Sequence, residues 1–317
     1  MVTPDRPDRS DVRSFRFDDP EALLAEVQAT RAGRTIAVCL PCRNEEATVG
    51  ALVASIRSTL QGRTGLVDEL IVIDDGSTDA TARVAADAGA TVVSVDAVHA
   101  VAGPGSGKGN ALWASLAVSR GDLVVWCDAD VTSFRPDWIV KLVAPLLAHD
   151  ELALVKAAYR RPEDRGGGGR TTELTARPLL SLFHPVLAAL DQPLAGEYAV
   201  RRSVIEQLPM VQGWGVEVAL LVDVLRSHGP AALAQVDLGL REHRHRPLDE
   251  LAVQAAEVAA TILARSPGAA LPDGAALVRS GGSTVPLNLA ERPPLAGAPV
   301  ARPEGPTPEV GSSTQRT

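Results

Sequence analysis

The stretch Leu123-Val124-Val125-Trp126-Cys127-Asp128-Ala129-Asp130 decides how this chain is read. It begins as an apolar run of strand length and ends in two carboxylates separated by one residue. Open α/β sheets bind ligands at the carboxyl ends of their strands. Side chains two apart on an extended chain point the same way. Asp128 and Asp130 can therefore converge on one divalent cation. Hard oxygen ligands of this kind suit Mg2+ or Mn2+ bound together with substrate phosphates. Alone, the pair reads as readily as solvated loop carboxylates or a helix cap. Its place at the end of the fourth strand in a series favours the cation.

Working outward, Thr35–Leu40, Leu70–Ile73 and Thr91–Val95 read as the earlier strands, with Asp122–Cys127 the fourth. Between them, Val49, Leu52, Val53, Ile56 and Leu60 recur at helical spacing, and helices are predicted from Thr78 to Gly89 and from Asn110 to Ser119. Strands alternating with helices predict βαβ units and a mostly parallel, Rossmann-like α/β sheet. Beyond Asp130 the pattern gives a helix over Asp137–Ala148, an extended Leu152–Ala158 and a glycine-rich loop over Arg165–Arg170. A helix over Glu173–Leu190, with a break at Pro185, comes next. Gly215–Ser227 is read as an apolar helix, Ala234–Leu240 as a strand and Leu248–Arg265 as a long amphipathic helix. Residues 1–32 form a polar segment with a short helix. Residues 267–317 are expected to be a mostly disordered tail, since Pro, Gly, Ser and Thr dominate its end.

The 317 residues are 45% hydrophobic and carry a net charge of -8, which argues against a nucleic-acid surface. Aromatic residues make up only 3%, too few for base-stacking platforms. No apolar stretch approaches the roughly 20 residues of a membrane helix, and Met1–Asp19 lacks a hydrophobic signal core. These features predict a cytoplasmic protein, with a homodimer as its expected assembly. Cys39, Cys42 and Cys127 do not make a disulfide framework. The Cys39-Leu40-Pro41-Cys42 spacing resembles a redox motif, but Cys39 falls inside a strand, where ordinary packing is the better reading.

Five polar segments accompany the aspartate pair. Pro41-Cys42-Arg43-Asn44-Glu45-Glu46 ends strand one and can hold a base and ribose or cap the following helix. Asp74-Asp75-Gly76-Ser77-Thr78-Asp79 reads equally as a nucleoside contact or as strand-turn-helix punctuation. Gly103–Asn110 invites comparison with a phosphate-binding Walker loop. Ala102 and Gly109 stand where that pattern needs Gly and Ser or Thr, so the match fails, although Lys108 can still reach a diphosphate. Gly166–Thr172, with Arg170, combines free backbone N–H groups with a planar fork for an anion. Arg241-Glu242-His243-Arg244-His245-Arg246 can meet a metal and phosphates, or be a solvated basic turn.

Taken together, these segments resemble the GT-A nucleotide-sugar glycosyltransferases. Gly169–Leu174, Ala176–Leu180, Gly196–Ala199, Gly213–Glu217 and His243–Glu250 narrow the likeness to actinobacterial glucosyl-3-phosphoglycerate synthases. The resemblance covers roughly Gly33 to Ala264. It implies a GT-A fold with a nucleotide-sugar-binding half over 33–130 and an acceptor-binding half over 131–266. It further implies retaining transfer of glucose from UDP-glucose to the 2-hydroxyl of 3-phosphoglycerate with Mg2+ or Mn2+. By the same likeness, Pro41, Cys42, Arg43, Glu45 and Asp75 line the uridine site. Lys108 sits near both substrates. Asp128, Ala129 and Asp130 hold the diphosphate and metal, with His243 completing the metal shell. Glu217 contacts the glucose, and Gly169, Arg170, Thr172 and His245 bind the phosphoglycerate. Asp130, Lys108 and Glu217 thus stand nearest the chemistry. Arg43, Asp75 and His245 depart from the mycobacterial pattern, which has an apolar residue, a small polar residue and an asparagine there. Another sugar nucleotide such as GDP-mannose, a lipid phosphate acceptor, or nucleotide-sugar binding without turnover are the alternatives.

Overall fold

The computed structural model describes residues 12–161, 169–242 and 247–296. His243 and His245 therefore lie outside the described residues. The first strands follow the apolar runs: β1 is Arg13–Phe15, β2 Ile36–Cys42, β3 Glu69–Asp74, β4 Thr91–Ser94 and β5 Leu123–Trp126. β6 (Leu154–Arg160), β7 (Tyr198–Arg201) and β9 (Leu233–Leu240) complete an eight-stranded sheet of order β1-β9-β6-β7-β5-β2-β3-β4. β8 (Met210–Val211) stands outside it and pairs with β12 (Glu291–Arg292), while β10 (Ala276–Val278) and β11 (Thr284–Pro286) form a hairpin. In the main sheet only β7 runs against its neighbours β5 and β6, so the expected mostly parallel α/β sheet is the one observed.

Helices cover both faces, as buried parallel strands require. α1 (Pro20–Thr30), α2 (Val49–Ile56), α3 (Thr81–Ala88) and α6 (Asp137–Ala148) pack one core with Leu23, Ile56, Ala85 and Trp138. The other face takes α4 (Val95–Ala102), α5 (Lys108–Val118), α7 (Arg177–Phe183), α9 (Val216–His228) and α10 (Leu248–Ala264), with Trp113, Leu180, Leu221 and Ile262 inside. The short α8 (Arg202–Ile205) follows β7. Cys39 belongs to one core and Cys42 to the other. Their thiols point to opposite faces of β2, which rules out the C-x-x-C pairing. Burial pushes the Cys39 thiol up to about 12.

Three sequence expectations need correcting. The helix over Glu173–Leu190 is instead a π-turn at Thr172–Ala176, α7, and a 3-10 turn at Leu187–Ala189. β7 was not foreseen: Tyr198–Arg201 is only four residues long, too short for a periodic signal. The tail expected to be mostly disordered from 267 carries β10, β11 and β12. Its composition is loop-like, but Arg292 is buried and tied by side-chain hydrogen bonds to the body of the protein.

Candidate active site

The carboxyl ends of β2, β3 and β5 open onto one cavity of about 490 Å3, lined by every residue that the sequence assigned to the uridine and diphosphate, though not by Glu217. Its nucleoside edge is two interlocked loops. Asn44 takes a left-handed conformation, φ 58, which Asn tolerates better than most residues. It receives the Thr78 N–H on Oδ1 at 2.8 Å and donates its own N–H to Ser77 Oγ at 3.0 Å. The Glu45 N–H reaches Thr81 Oγ1 at 2.7 Å, and Glu46 accepts the Ala80 N–H at 2.8 Å. Asn44 and Glu46 thus brace the two loops against each other, whereas Arg43 and Asp75 face the cavity 3.9 Å apart. Burial raises the pKa of Asp75, with Arg43 and His99 pulling the other way.

The aspartates lie past the end of β5, with Asp130 in a turn rather than on the extended chain expected from the sequence, and both carboxylates approach one arginine. Arg241 at the end of β9 supplies the point of convergence, with Nη2 3.2 Å from Asp128 and 3.7 Å from Asp130. Its Nε also donates to buried Glu197 at 2.9 Å. Burial raises the Glu197 pKa against the pull of Arg241. Gly196 makes room for Asp128: a Cβ there would sit 2.2 Å from the carboxylate.

Lys108 opens α5 behind Gly107. Its ammonium lies 2.8 Å from Asp128 and 2.7 Å from Glu217. Burial opposes that charge, but Asp128 and then Glu217 attract it more strongly and hold its pKa above the ordinary lysine value. Glu217, on the first turn of α9, has a side chain only 4% exposed and reaches the cavity through Lys108. The glycines around Lys108 serve backbone contact. A Cβ on Gly109 would lie 1.8 Å from the Val211 carbonyl and one on Gly107 2.8 Å from that of Gln212. Beneath them Lys156 on β6 is buried, donates to the Ala195 carbonyl, and stands 4.1 Å over the Tyr198 ring. Burial, partly offset by Glu217, lowers its pKa to about 7.

The same cavity is lined by Gly169, Arg170 and Thr172, and also by Arg161 and Tyr159. Tyr159 receives Arg161 on its hydroxyl at 3.2 Å, and the guanidiniums of Arg161 and Arg241 each lie 5.3 Å from its ring centroid. Arg241 is already paired with Asp128, Asp130 and Glu197, so Arg161 and Arg170 are the cations this part of the cavity brings toward an anionic ligand. Sequence reading missed the parts played by Glu197, Arg161, Tyr159 and Lys156, and took Arg241 only as the start of a basic turn that can meet a metal and phosphates. Only Arg241 carried a usable signal, a cation just past a predicted strand end.

Among the described residues no three His, Cys, Asp or Glu side chains gather around one point. The donor set still fits a hard cation. Asp128 and Asp130 offer oxygen ligands on one side of the cavity, leaving phosphate oxygens, water and one further protein group to complete an octahedron. Glu242 lies beside the turn after Asp130, since its carbonyl accepts the Thr132 N–H at 3.2 Å.

Comparison with known proteins agrees with this architecture. The model of the family "Glycosyl transferase family 2" matches residues 37–207. The glucosyl-3-phosphoglycerate synthase of Mycolicibacterium paratuberculosis is 45% identical over 299 residues, covering 88% of this chain and 89% of its own. That of Mycolicibacterium smegmatis is 48% identical over 255 residues, covering 78% and 83%. The crystal structure of the Mycobacterium tuberculosis glucosyl-3-phosphoglycerate synthase with Mn2+, UDP-glucose and phosphoglyceric acid superposes with a TM-score of 0.82. It shares 44% identity, over 90% of this chain and 98% of that one.

Proposed function

Because this chain belongs to glycosyl transferase family 2 and, within it, to the glucosyl-3-phosphoglycerate synthases, we propose that it moves glucose from UDP-glucose to the 2-hydroxyl of 3-phosphoglycerate. The observation that carries this reading is one cavity that gathers both carboxylates and cations. Lys108 and the aspartate pair line it together with Arg161, Arg170 and the Gly169–Thr172 turn. Two anionic substrates can meet there despite the negative net charge.

In this reading the first half of the chain, 33–130, takes the donor, and 131–266 takes the acceptor. Pro41, Cys42, Arg43, Glu45 and Asp75 hold the uridine. Asp128, Ala129 and Lys108 face the diphosphate, and Asp130 with His243 would hold Mg2+ or Mn2+. A bound ion neutralises charge on the departing UDP. Gly169, Arg170, Thr172 and His245 orient the phosphoglycerate so that its 2-hydroxyl faces the sugar. The bond from glucose C1 to the β-phosphate oxygen breaks, the bond from C1 to the acceptor oxygen forms on the same face, and the hydroxyl proton passes to the leaving phosphate. Lys108, anchored by Asp128 and Glu217, keeps a positive charge beside that oxygen.

No described helix is long and apolar enough to cross a membrane, which is compatible with the cytoplasmic location in this proposal. Exposed Leu174, Leu182, Phe183 and Leu248 lie on the mutually packed 172–183 segment and α10, a surface that a second copy can cover. Light scattering should give twice the chain mass for the homodimer, and a single chain mass contradicts it.

Incubating the purified protein with a panel of sugar nucleotides and phosphorylated acceptors, with Mg2+ or with EDTA, tests the function. Release of UDP is expected only with UDP-glucose, 3-phosphoglycerate and metal. Transfer that EDTA leaves untouched contradicts the metal assignment, and transfer confined to another donor or acceptor contradicts the substrates.

A further inference from the structure

We propose that the strap of residues 288–293 positions Lys108, with Arg292 and Asn288 as positioning residues; this rests on the donor site assigned above. Arg292 is 5% exposed and fully engaged. It donates to the carbonyls of Ala102 at 3.0 Å and Gly103 at 2.9 Å, and to Asn110 Oδ1 at 2.8 Å. Its guanidinium stacks 5.0 Å from the Trp113 ring, whose indole N–H donates to the Pro293 carbonyl at 2.9 Å. One side chain therefore joins the end of α4 to the first turn of α5, and Lys108 lies between those two anchors.

Asn288 closes the same loop from the other side. Its side-chain amide donates to the Ser106 carbonyl at 2.8 Å and its backbone N–H to Glu257 at 2.9 Å. Glu257, buried on α10, also accepts the Trp214 N–H at 2.8 Å, and Trp214 lines the cavity. The loop over 103–107 holds three glycines, which alone would leave it many conformations. Gly105 lets the strap approach: a Cβ there would sit 2.3 Å from Arg292. The glycine-rich run that resembles a phosphate loop is thus a seat for the strap, and the strap sets where Lys108 points. Sequence composition hid this, because the strap lies in a segment that reads as a tail.

Two measurements test the inference. Amide exchange without ligand should quicken across residues 103–110 in Arg292→Ala and leave the β2–β5 core unchanged. Unaltered protection of that loop overturns the proposal whether or not the donor assignment holds. UDP titrated calorimetrically in Mg2+ should bind Arg292→Ala about tenfold more weakly, a loss of about 1.4 kcal/mol. In a Lys108→Met background the same change should cost less than about twofold, because coupled residues are non-additive. Equal losses in both backgrounds, or none, overturn the proposal. Failure of the unmodified protein to bind UDP contradicts the donor site instead. Should Arg292→Ala not fold, Asn288→Ala decides, with the same signs and a loss of about threefold.

Discussion

Replacing Lys108 by Met removes the one cation shared by Asp128 and Glu217 while keeping most of the side-chain volume. The two contacts are 2.8 and 2.7 Å, and the Lys108 side chain is 14% exposed. At an effective dielectric near 20, a pair at 4 Å attracts by about 4 kcal/mol, most of which desolvation offsets. Breaking a buried pair from one side costs about 3–5 kcal/mol, because a charge is left uncompensated. Asp128 keeps Arg241 at 3.2 Å, so the loss falls mainly on Glu217. We therefore expect Lys108→Met to lower the unfolding free energy at pH 7 by about 3 kcal/mol and kcat/KM by about 100- to 1000-fold, the loss typical of removing one preorganised charge contact. Urea denaturation and UDP-release kinetics read the two effects. Adding Glu217→Gln removes the stranded charge and should recover stability but not turnover. A single variant within about 1 kcal/mol of the unmodified protein, the range of surface ion pairs, would refute the reasoning. So would a double variant no more stable than the single.

Three further outcomes follow from neighbouring contacts. Gly196→Ala forces Asp128 aside from Lys108 and Arg241 and should weaken Mn2+-dependent UDP binding about tenfold or more; unchanged calorimetric affinity contradicts the role given to Gly196. Lys156 titrates near 7 in the fold against an unperturbed 10.5, so between those values the unfolded chain holds more protons. Stability should rise with pH across that window, by up to about 1.4 kcal/mol per unit from this group, and fall as pH drops through 7. Denaturation of Lys156→Met should show a flatter profile, and an identical slope contradicts the burial effect. Arg170→Ala should raise the KM for 3-phosphoglycerate about tenfold or more and leave that for UDP-glucose within about twofold. The reverse pattern would place Arg170 on the donor side.

The donor half was legible because its signals are local. β2, β3 and β5 are runs of apolar residues, and each ends in polar groups that the sheet delivers to one edge. The aspartate pair lies just past the β5 end, where the apolar run pointed, but in a turn rather than on the extended chain. Arg241 was harder to place, because the carboxylates that define its task lie 113 residues earlier in the chain and meet it only through the β6–β9 pairing. Lys156 is a charged residue on a buried strand and Glu197 one immediately before a buried strand, and nothing in a one-dimensional pattern reports which charge will neutralise them. The strap escaped for the opposite reason. It opens an end of the chain where Pro, Gly, Ser and Thr dominate, and its order comes from Arg292 and Asn288 bonding to backbone roughly 180 to 190 residues away. Composition reports local preference and is overridden by tertiary contacts of that kind.

The most direct test of the central claim is to identify the product. Purified protein with Mg2+, UDP-glucose and 3-phosphoglycerate should yield UDP and one new compound whose mass equals glucosyl-3-phosphoglycerate. Proton and carbon NMR should show the α-anomeric configuration of the donor retained and the new bond at the 2-oxygen of the glycerate. No such compound under these conditions, or glucose attached elsewhere or with inverted configuration, would contradict the account.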